Sequence, residues 1–234
     1  QAKNIGEEFK KQYAMRTVML GLEKYGLTPN ECVRIYKKLG LRAVEMVKEN
    51  PYCLCSLGIG ISFEKAEIIE EKLEEKPVPE YRIKEGILHV MRHNRSSRGH
   101  TCIPREKLLK PCADLLSTNE DTIDITIDSL ISTAQLKTYI IDGAEFVFLP
   151  SSLRDEKRIA ERMGIVAKFP PPRMSTLAQT IDDIEYENNI KYEDLQRMAI
   201  ATAANKGLLI LTGGPGTGKT TTIKGIIKVF EKQN

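Results

Sequence analysis

"LLILTGGPGTGKTTT" (Leu208–Thr222) contains Gly213-x-x-x-x-Gly218-Lys219-Thr220, a phosphate-loop pattern in full. Its surroundings suit it. Gly207–Gly213 is an apolar run of strand length. Beyond Gly218, Ile223, Ile226, Ile227 and Phe230 recur at i, i+3, i+4 and i+7, with Lys224 and Lys228 on another face. The expectation is a strand, a glycine turn and a helix. Gly213, Gly214, Gly216 and Gly218 carry no Cβ, so the backbone can curl and turn its N–H groups toward phosphate oxygens. Pro215, Thr217 and Thr221 complete the expected nucleotide-binding stretch. The helix N-terminus adds a positive dipole end. Lys219 is placed to reach β- and γ-phosphates, and the Thr220 hydroxyl to complete a Mg²⁺ shell, so ATP and Mg²⁺ are the expected cofactors.

Hydrolysis asks for more: a second carboxylate for the metal, a group that positions water, and an arginine. Only 15 residues follow Lys219, and the chain starts at Gln1. The expectation is a fragment that grips nucleotide without turning it over, its motor continuing elsewhere. A strand left without its sheet is a template for association, so self-association through Leu208–Leu211 is also expected.

Working outward, Gln196 precedes Gly213 by 17 residues on a helical pattern. A side-chain amide there can pair with adenine N6 and N7, or simply be a solvated helix position. A proline cluster, "FPPPR" (Phe169–Arg173), marks a boundary before this region.

Upstream lie two further regions. Residues 1–76 read as helices joined by glycine turns. Cys32, Ile35, Tyr36 and Leu39 share a face, Gly40 breaks the pattern, and Val44, Val47 and Lys48 resume it until Pro51. A second turn falls within Gly58–Ser62, before a helix through Ala66, Ile69 and Leu73. Such tandem helix-hairpin-helix units can offer backbone N–H groups to DNA phosphates without reading bases, or be purely structural. Lys37, Lys38, Gly40 and Arg42 make the first turn the better DNA candidate. Glu64, Glu67, Glu70, Glu71, Glu74 and Glu75 crowd the helix after the second.

After "EEKPVPE" (Glu74–Glu80), residues 77–170 read as helix (81–93), loop, helix (104–116), helix (119–136), hairpin (137–149) and helix (151–163). Asp142-Gly143 suits a type I′ hairpin turn. Helices followed by a hairpin describe a winged-helix-like domain. No Lys or Arg lies between Lys110 and Lys137, while Asp114, Glu120, Asp121, Asp124 and Asp128 do. A helix so acidic repels phosphate, which makes the domain a spacer or protein-contact scaffold. The basic loop "RHNRSSRGH" (Arg92–His100), with Arg95 and Arg98, is its one candidate for a DNA backbone contact.

The fold class is therefore mainly α with a small β-hairpin: helix-hairpin-helix repeats (1–76), a winged-helix-like domain (77–170), and the first strand-loop-helix of a RecA-like α/β domain (171–234). A net charge of +3 leaves any nucleic-acid partner to local patches. No apolar run approaches membrane-spanning length. The five cysteines form no C-x-x-C pair and suit a reducing, cytoplasmic setting. His89, His93 and Cys102 lack the tight pairing of a zinc site.

In order along the chain, "ENPYCL", "GISFEKAE", "GHT", "FVFLP" and "LQRMAI…LTGGPGTGKTTT" resemble the RecD-like ATP-dependent DNA helicases, superfamily 1 motors that move 5′ to 3′ on single strands. Ser62 departs from the pattern, standing where the second hairpin's second glycine belongs. The resemblance implies adenine reading by Gln196, phosphate contact by Lys219, Mg²⁺ binding by Thr220, and a single-stranded or junction DNA partner. The other reading is a DNA- or protein-binding module with a vestigial phosphate loop.

Overall fold

Glycine turns and capping side chains cut the first part of the chain into short helices. The computed structural model describes residues 2–56, 58–172 and 174–232, with side chains from residue 12 onward. It divides into two units, Gln1–Leu153 and Arg154–Asn234. The first opens with α1 (Ala2–Glu23), a turn at Gly26, and α2 (Pro29–Leu39). At the start of α2 the Thr28 hydroxyl accepts from the Glu31 N–H, and the Glu31 carboxylate accepts from the Thr28 N–H at 2.7 Å. This capping box satisfies donors that a helix start leaves open. Gly40 ends α2 at φ 66°, a 3-10 turn spans Gly40–Arg42, and α3 follows at Ala43–Glu49. A second 3-10 turn (Pro51–Cys55) and the glycine turn at Gly58–Gly60 lead into α4 (Phe63–Glu71).

These helical hairpins close over Leu22, Cys32, Ile35, Ala43, Val47, Leu54, Ile59 and Ile69, all essentially without solvent contact. Ala43, not Lys48, joins Val47 on the buried face of α3; Lys48 is exposed. Helix α4 serves two cores. Ile69 points into the hairpin core, while Phe63 and Ala66 join Tyr52 in the next one. The Tyr52 hydroxyl donates to the Glu70 carboxylate in a short bond.

That second core lies among α5 (Pro79–Arg98), β1 (Cys102–Pro104), α6 (Arg105–Leu116), α7 (Glu120–Ser132), β2 (Lys137–Ile141) and β3 (Ala144–Phe148). The strands form an antiparallel sheet in the order β1-β3-β2. Helix, strand, two helices and a hairpin is the winged-helix order. The hairpin turn has Asp142 at φ 50° and Gly143 at φ 81°, both positive as a type I′ turn requires. Three expectations need correction here. Strand β1 is additional; three residues ending in proline carry no alternation, and only pairing with β3 reveals them. The "loop" at 92–100 is helical as far as Arg98, where Gly99 at φ 72° ends it; Asn94, Ser96 and Ser97 turn their side chains back to the carbonyls of Val90 and His93. The helix expected to reach 136 stops at Ser132, and Ala134 takes φ 59°.

In the second unit α8 (Pro150–Lys168), which begins just before it, is followed by α9 (Leu177–Glu187), α10 (Asp194–Asn205) and α11 (Lys219–Glu231). Leu177, Ile181 and Ile184 of α9, Ile200 and Ala204 of α10, Tyr192 and Val229 make its core. The face of α11 that packs is Thr222, Gly225 and Val229, with Ile226 half-buried beside them, whereas Ile223 and Ile227 of the apolar stripe are about half exposed and Phe230 about a third. Gly225 decides this: a Cβ there would lie 2.6 Å from Ile200 and 2.7 Å from the Tyr192 hydroxyl. The run 208–211 forms no ladder among the described residues, since no strand lies beside it. Its start is laid against the end of α8, where a Cβ on Gly207 would be 2.0 Å from the Val166 carbonyl oxygen.

Candidate functional site

The phosphate loop joins the apolar run to α11 and is open to solvent. Gly218 sits at φ 75° and forms the N-cap of α11, a conformation that costs other L-residues about 1–2 kcal/mol. Its missing side chain also makes room for Gln196, whose Nε2 lies 2.2 Å from where a Gly218 Cβ would stand. Gln196 and the loop, separated in sequence, are thus adjacent in space. The Gln196 Oε1 accepts from the Glu193 N–H at 3.1 Å in a second capping box. This fixes the side chain on the first turn of α10 with its amide nitrogen toward the loop. A carbonyl oxygen keeps a second lone pair and the amide nitrogen its protons, so a donor and an acceptor remain to be offered to a base.

Lys219 folds into the loop. Its ammonium donates to the Gly213 carbonyl at 2.7 Å, to the Gly214 carbonyl, and to the Thr217 hydroxyl at 3.3 Å. Thr217 in turn donates to the Gly214 carbonyl at 3.0 Å. None of these partners is a carboxylate. Neutral oxygens hold the cation in the loop's concavity, and phosphate oxygens would hold it more strongly. No heavy atom lies within 4 Å of the Cβ positions of Gly214 and Gly216, so the bend is open to a ligand. Pro215, Thr220 and Thr221 are exposed around it. Thr222 is buried and returns its hydroxyl to the Gly218 carbonyl at 3.1 Å. The donor set fits a nucleotide phosphate chain, and the Thr220 hydroxyl fits a hard, oxygen-seeking cation.

One supporting residue was missed from sequence. Arg197 donates to Asp182 and to Glu185, each at 2.6 Å, and so ties the Gln196-bearing turn of α10 to α9. These hydrogen bonds push the guanidinium pKa up, the Asp182 bond foremost. No spacing signal could find it, because both partners lie on another helix.

In the first unit, Lys37, Lys38 and Arg42 are exposed around Gly40 at the tip of the first hairpin, with Leu41 protruding between them at 69% exposure. Arg42 faces Glu45 at 3.6 Å, a fully solvated pair. The Lys38 ammonium lies 3.8 Å from a Cβ position on Gly58, so the two glycine turns are neighbours. The second turn uses its amides internally: Ile59 and Gly60 N–H donate to the Ser56 carbonyl, and Ile61 N–H to Leu54. Ser62 has φ −71° and caps α4 by accepting from the Lys65 N–H. It needs no glycine because its role is to start a helix.

Arg95 and Arg98 fall on the last turn of α5 rather than on a loop, and Arg95 donates to the Ser151 hydroxyl at 3.0 Å. Arg92 is engaged with Glu85. His89 packs against Phe63 and His93 and faces Glu64 at 3.5 Å. Among the described residues no group of three or more His, Cys, Asp or Glu is disposed to hold a metal. Burial pushes Cys55 and Cys112 up to about 12, which keeps both as thiols. A cleft of about 700 Å³ sets Lys24, Lys48 and Lys72 against Glu45, Glu49, Glu74 and Glu75. Its charges nearly balance, three lysines against four glutamates, and it lies far in sequence from the loop. No described helix is long and apolar enough to cross a membrane.

Helical hairpins and a winged-helix order precede a phosphate loop along the chain. Comparison with known proteins agrees. Residues 11–102 match the family described as the ATP-dependent RecD2 DNA helicase HHH domain, and residues 196–234 match an AAA domain. The chain is 22% identical to the ATP-dependent RecD2 DNA helicase of Deinococcus radiodurans, over 92% of this chain and 31% of that protein. It is 34% identical to the RecBCD enzyme subunit RecD of Haemophilus influenzae, over 34% of this chain and 13% of that one. With RecD of Mycolicibacterium smegmatis it shares 50% identity over 16% of this chain and 7% of that one. The chain is thus similar to the N-terminal region of RecD-like helicases together with the start of their motor domain. It spans a third or less of the length of these relatives.

Proposed function

We propose that this chain is the front end of an ATP-dependent DNA helicase that moves along single-stranded DNA, and that it supplies a DNA backbone contact and the phosphate grip for ATP. The observation that carries the reading is the placement of Gln196 against Gly218, which assembles a base-facing amide and a phosphate-facing lysine from separate elements. In this assignment residues 1–76 are the helix-hairpin-helix region, 77–170 the winged-helix-like region, and 171–234 the opening of the motor domain. Gly213–Thr221 cradle the phosphates, Lys219 exchanges its loop carbonyls for phosphate oxygens, and Gln196 reads adenine. Thr220 offers its hydroxyl to Mg²⁺, which supplies charge neutralisation on the phosphates. Lys37, Lys38 and Arg42 hold the DNA backbone.

In this reading the chain by itself binds ATP and does not turn it over, because hydrolysis asks beyond the phosphate loop for a second carboxylate on the metal, a group that positions water and an arginine. The outward stripe of Ile223 and Ile227, together with Ile210, is the surface on which further strands of an α/β sheet would pack; left uncovered, it favours self-association. Binding of a fluorescent ATP analogue, with and without Mg²⁺, tests the reading. Saturable binding that Lys219→Ala removes supports it. A second reading, a DNA- or protein-binding module with a vestigial loop, draws on the lysine's satisfaction by its own carbonyls, and absence of any nucleotide binding would favour it.

A further inference from the structure

In the winged-helix order the third helix, α7, and the hairpin form the face that such domains ordinarily turn toward DNA. Here that face is built for something else. Arg105, at the start of α6, donates to Asp124 at 2.7 Å, pairs with Asp128 at 2.8 Å, and reaches Glu145 of β3 at 3.3 Å. One guanidinium therefore draws α7 and the sheet into a single surface, and its three carboxylate partners leave that surface negative. Glu120 and Asp121 add to it and are exposed. Two large aliphatic side chains stand in the open beside them: Ile125 on α7, 70% exposed, and Ile140 on β2, 61% exposed. Ile140 pairs directly across from Glu145, so the two share a sheet face.

The sheet order leaves β2 at an edge. Ile141 and Ala144 flank the two-residue turn and are paired. In a type I′ hairpin that flanking pair exchanges both main-chain bonds. Alternation then turns the N–H and C=O groups of Thr138 and Ile140 outward, away from β3. An open edge carrying an exposed aliphatic side chain (Ile140), a second exposed aliphatic on α7 (Ile125) and a negative rim are the parts of a strand-addition site.

We propose that this edge takes an extended, lysine- or arginine-bearing segment of a partner protein. The segment pairs with Thr138 and Ile140, covers Ile140 and Ile125 with aliphatic side chains, and sets its cations toward Asp121, Asp124 and Asp128. The charge of the face selects against nucleic acid, whose phosphates it repels, and against a second copy, which would bring its own carboxylates to the same rim.

The test uses the 234-residue chain and a fluorescein-labelled peptide of alternating lysine and valine, followed by anisotropy. Expected is saturable binding that weakens with salt and falls at least tenfold in Ile125→Lys and in Ile140→Lys, both exposed positions that should leave the fold intact. Ile140→Pro, which removes one outward N–H, should weaken binding as much, with circular dichroism showing that the helices persist. A glutamate–valine peptide should not bind. Equal binding of the two peptides, or indifference to all three variants, overturns the proposal. So does a duplex oligonucleotide whose binding the two lysine variants leave unchanged while it competes the peptide off. Sedimentation showing a dimer that Ile140→Lys dissolves would assign the edge to self-pairing and overturn it too.

Discussion

The phosphate loop and the first hairpin tip are both glycine turns that carry cations, yet they hold them in opposite ways. Lys219 is drawn inward onto loop oxygens, while Lys37, Lys38 and Arg42 stand outward in solvent. The inward lysine is placed once, by short local bonds, and can meet one ligand in one geometry. The outward cations are placed only by the helices beneath them, and meet whatever polyanion passes. The first arrangement suits a saturable, specific site, and the second a diffuse contact that salt weakens.

The largest expected effect breaks the first side alone. Lys219→Ala removes a charge-assisted bond of about 1.5–3 kcal/mol, so ATP affinity should fall roughly tenfold to a hundredfold, while affinity for single-stranded DNA stays as it was. Fluorescence titration of both ligands on one preparation measures the pair. Gly218→Ala comes next. It forces a positive φ at a cost of about 1–2 kcal/mol and drives a Cβ to within 2.2 Å of the Gln196 amide. Nucleotide affinity should drop by about tenfold, with the start of α11 exchanging amide protons faster.

Breaking the other side takes several changes at once. The triple variant Lys37→Ala, Lys38→Ala, Arg42→Ala should bind DNA about tenfold more weakly near physiological salt. The slope of log affinity against log salt should flatten by about 2–3, close to 0.9 for each duplex phosphate no longer neutralised. ATP binding should not change. If Arg95→Ala with Arg98→Ala flattens the slope as much, the hairpin tip is not the principal DNA-binding surface.

A smaller effect tests what holds that tip in place. The Glu31 carboxylate accepts from Thr28 and from Lys65, the latter at 2.6 Å. Burial alone would raise its pKa, but the bonds from Lys65 and Thr28 outweigh it and leave the group below its ordinary 4.5. A depressed folded-state value means stability that is present above 4.5 and lost as pH falls through that lower value. Glu31→Gln should therefore cost about 1 kcal/mol at neutral pH, and thermal melts should show the gap to the natural chain closing in acid.

What sequence could show follows the same division. The loop was legible because its chemistry is contiguous: four glycines, a lysine and a threonine in one short run. Gln196 was legible as a candidate from its amide chemistry and from the resemblance, while its closeness to Gly218 was not. The hairpin turn was legible from Asp142-Gly143, because a type I′ turn demands those residues. What escaped depended on distant partners. Strand β1 exists only through β3, Arg197 acts only through α9, and Arg105 joins carboxylates from two other elements. The packing face of α11 was not legible for a related reason: a pattern of apolar residues gives no sign that Tyr192 and Ile200 close upon Gly225.

The smallest effect sharpens the contrast between the two hairpin turns themselves. Ser62→Gly would restore the glycine that a phosphate-binding hairpin usually has at this position. If sequence pattern alone set function, DNA affinity should rise. The structure argues that it will not, because the Ile59, Gly60 and Ile61 amides are already committed to the Ser56 and Leu54 carbonyls, and a side-chain change at Ser62 releases none of them. The substitution removes only the hydroxyl that accepts from Lys65, and glycine replaces a serine cap at a cost of a few tenths of a kcal/mol. A barely lowered melting temperature with an unchanged DNA isotherm is the expected result. A gain in DNA affinity would mean that the second turn opens its amides to phosphate, and DNA binding would then belong to both hairpins.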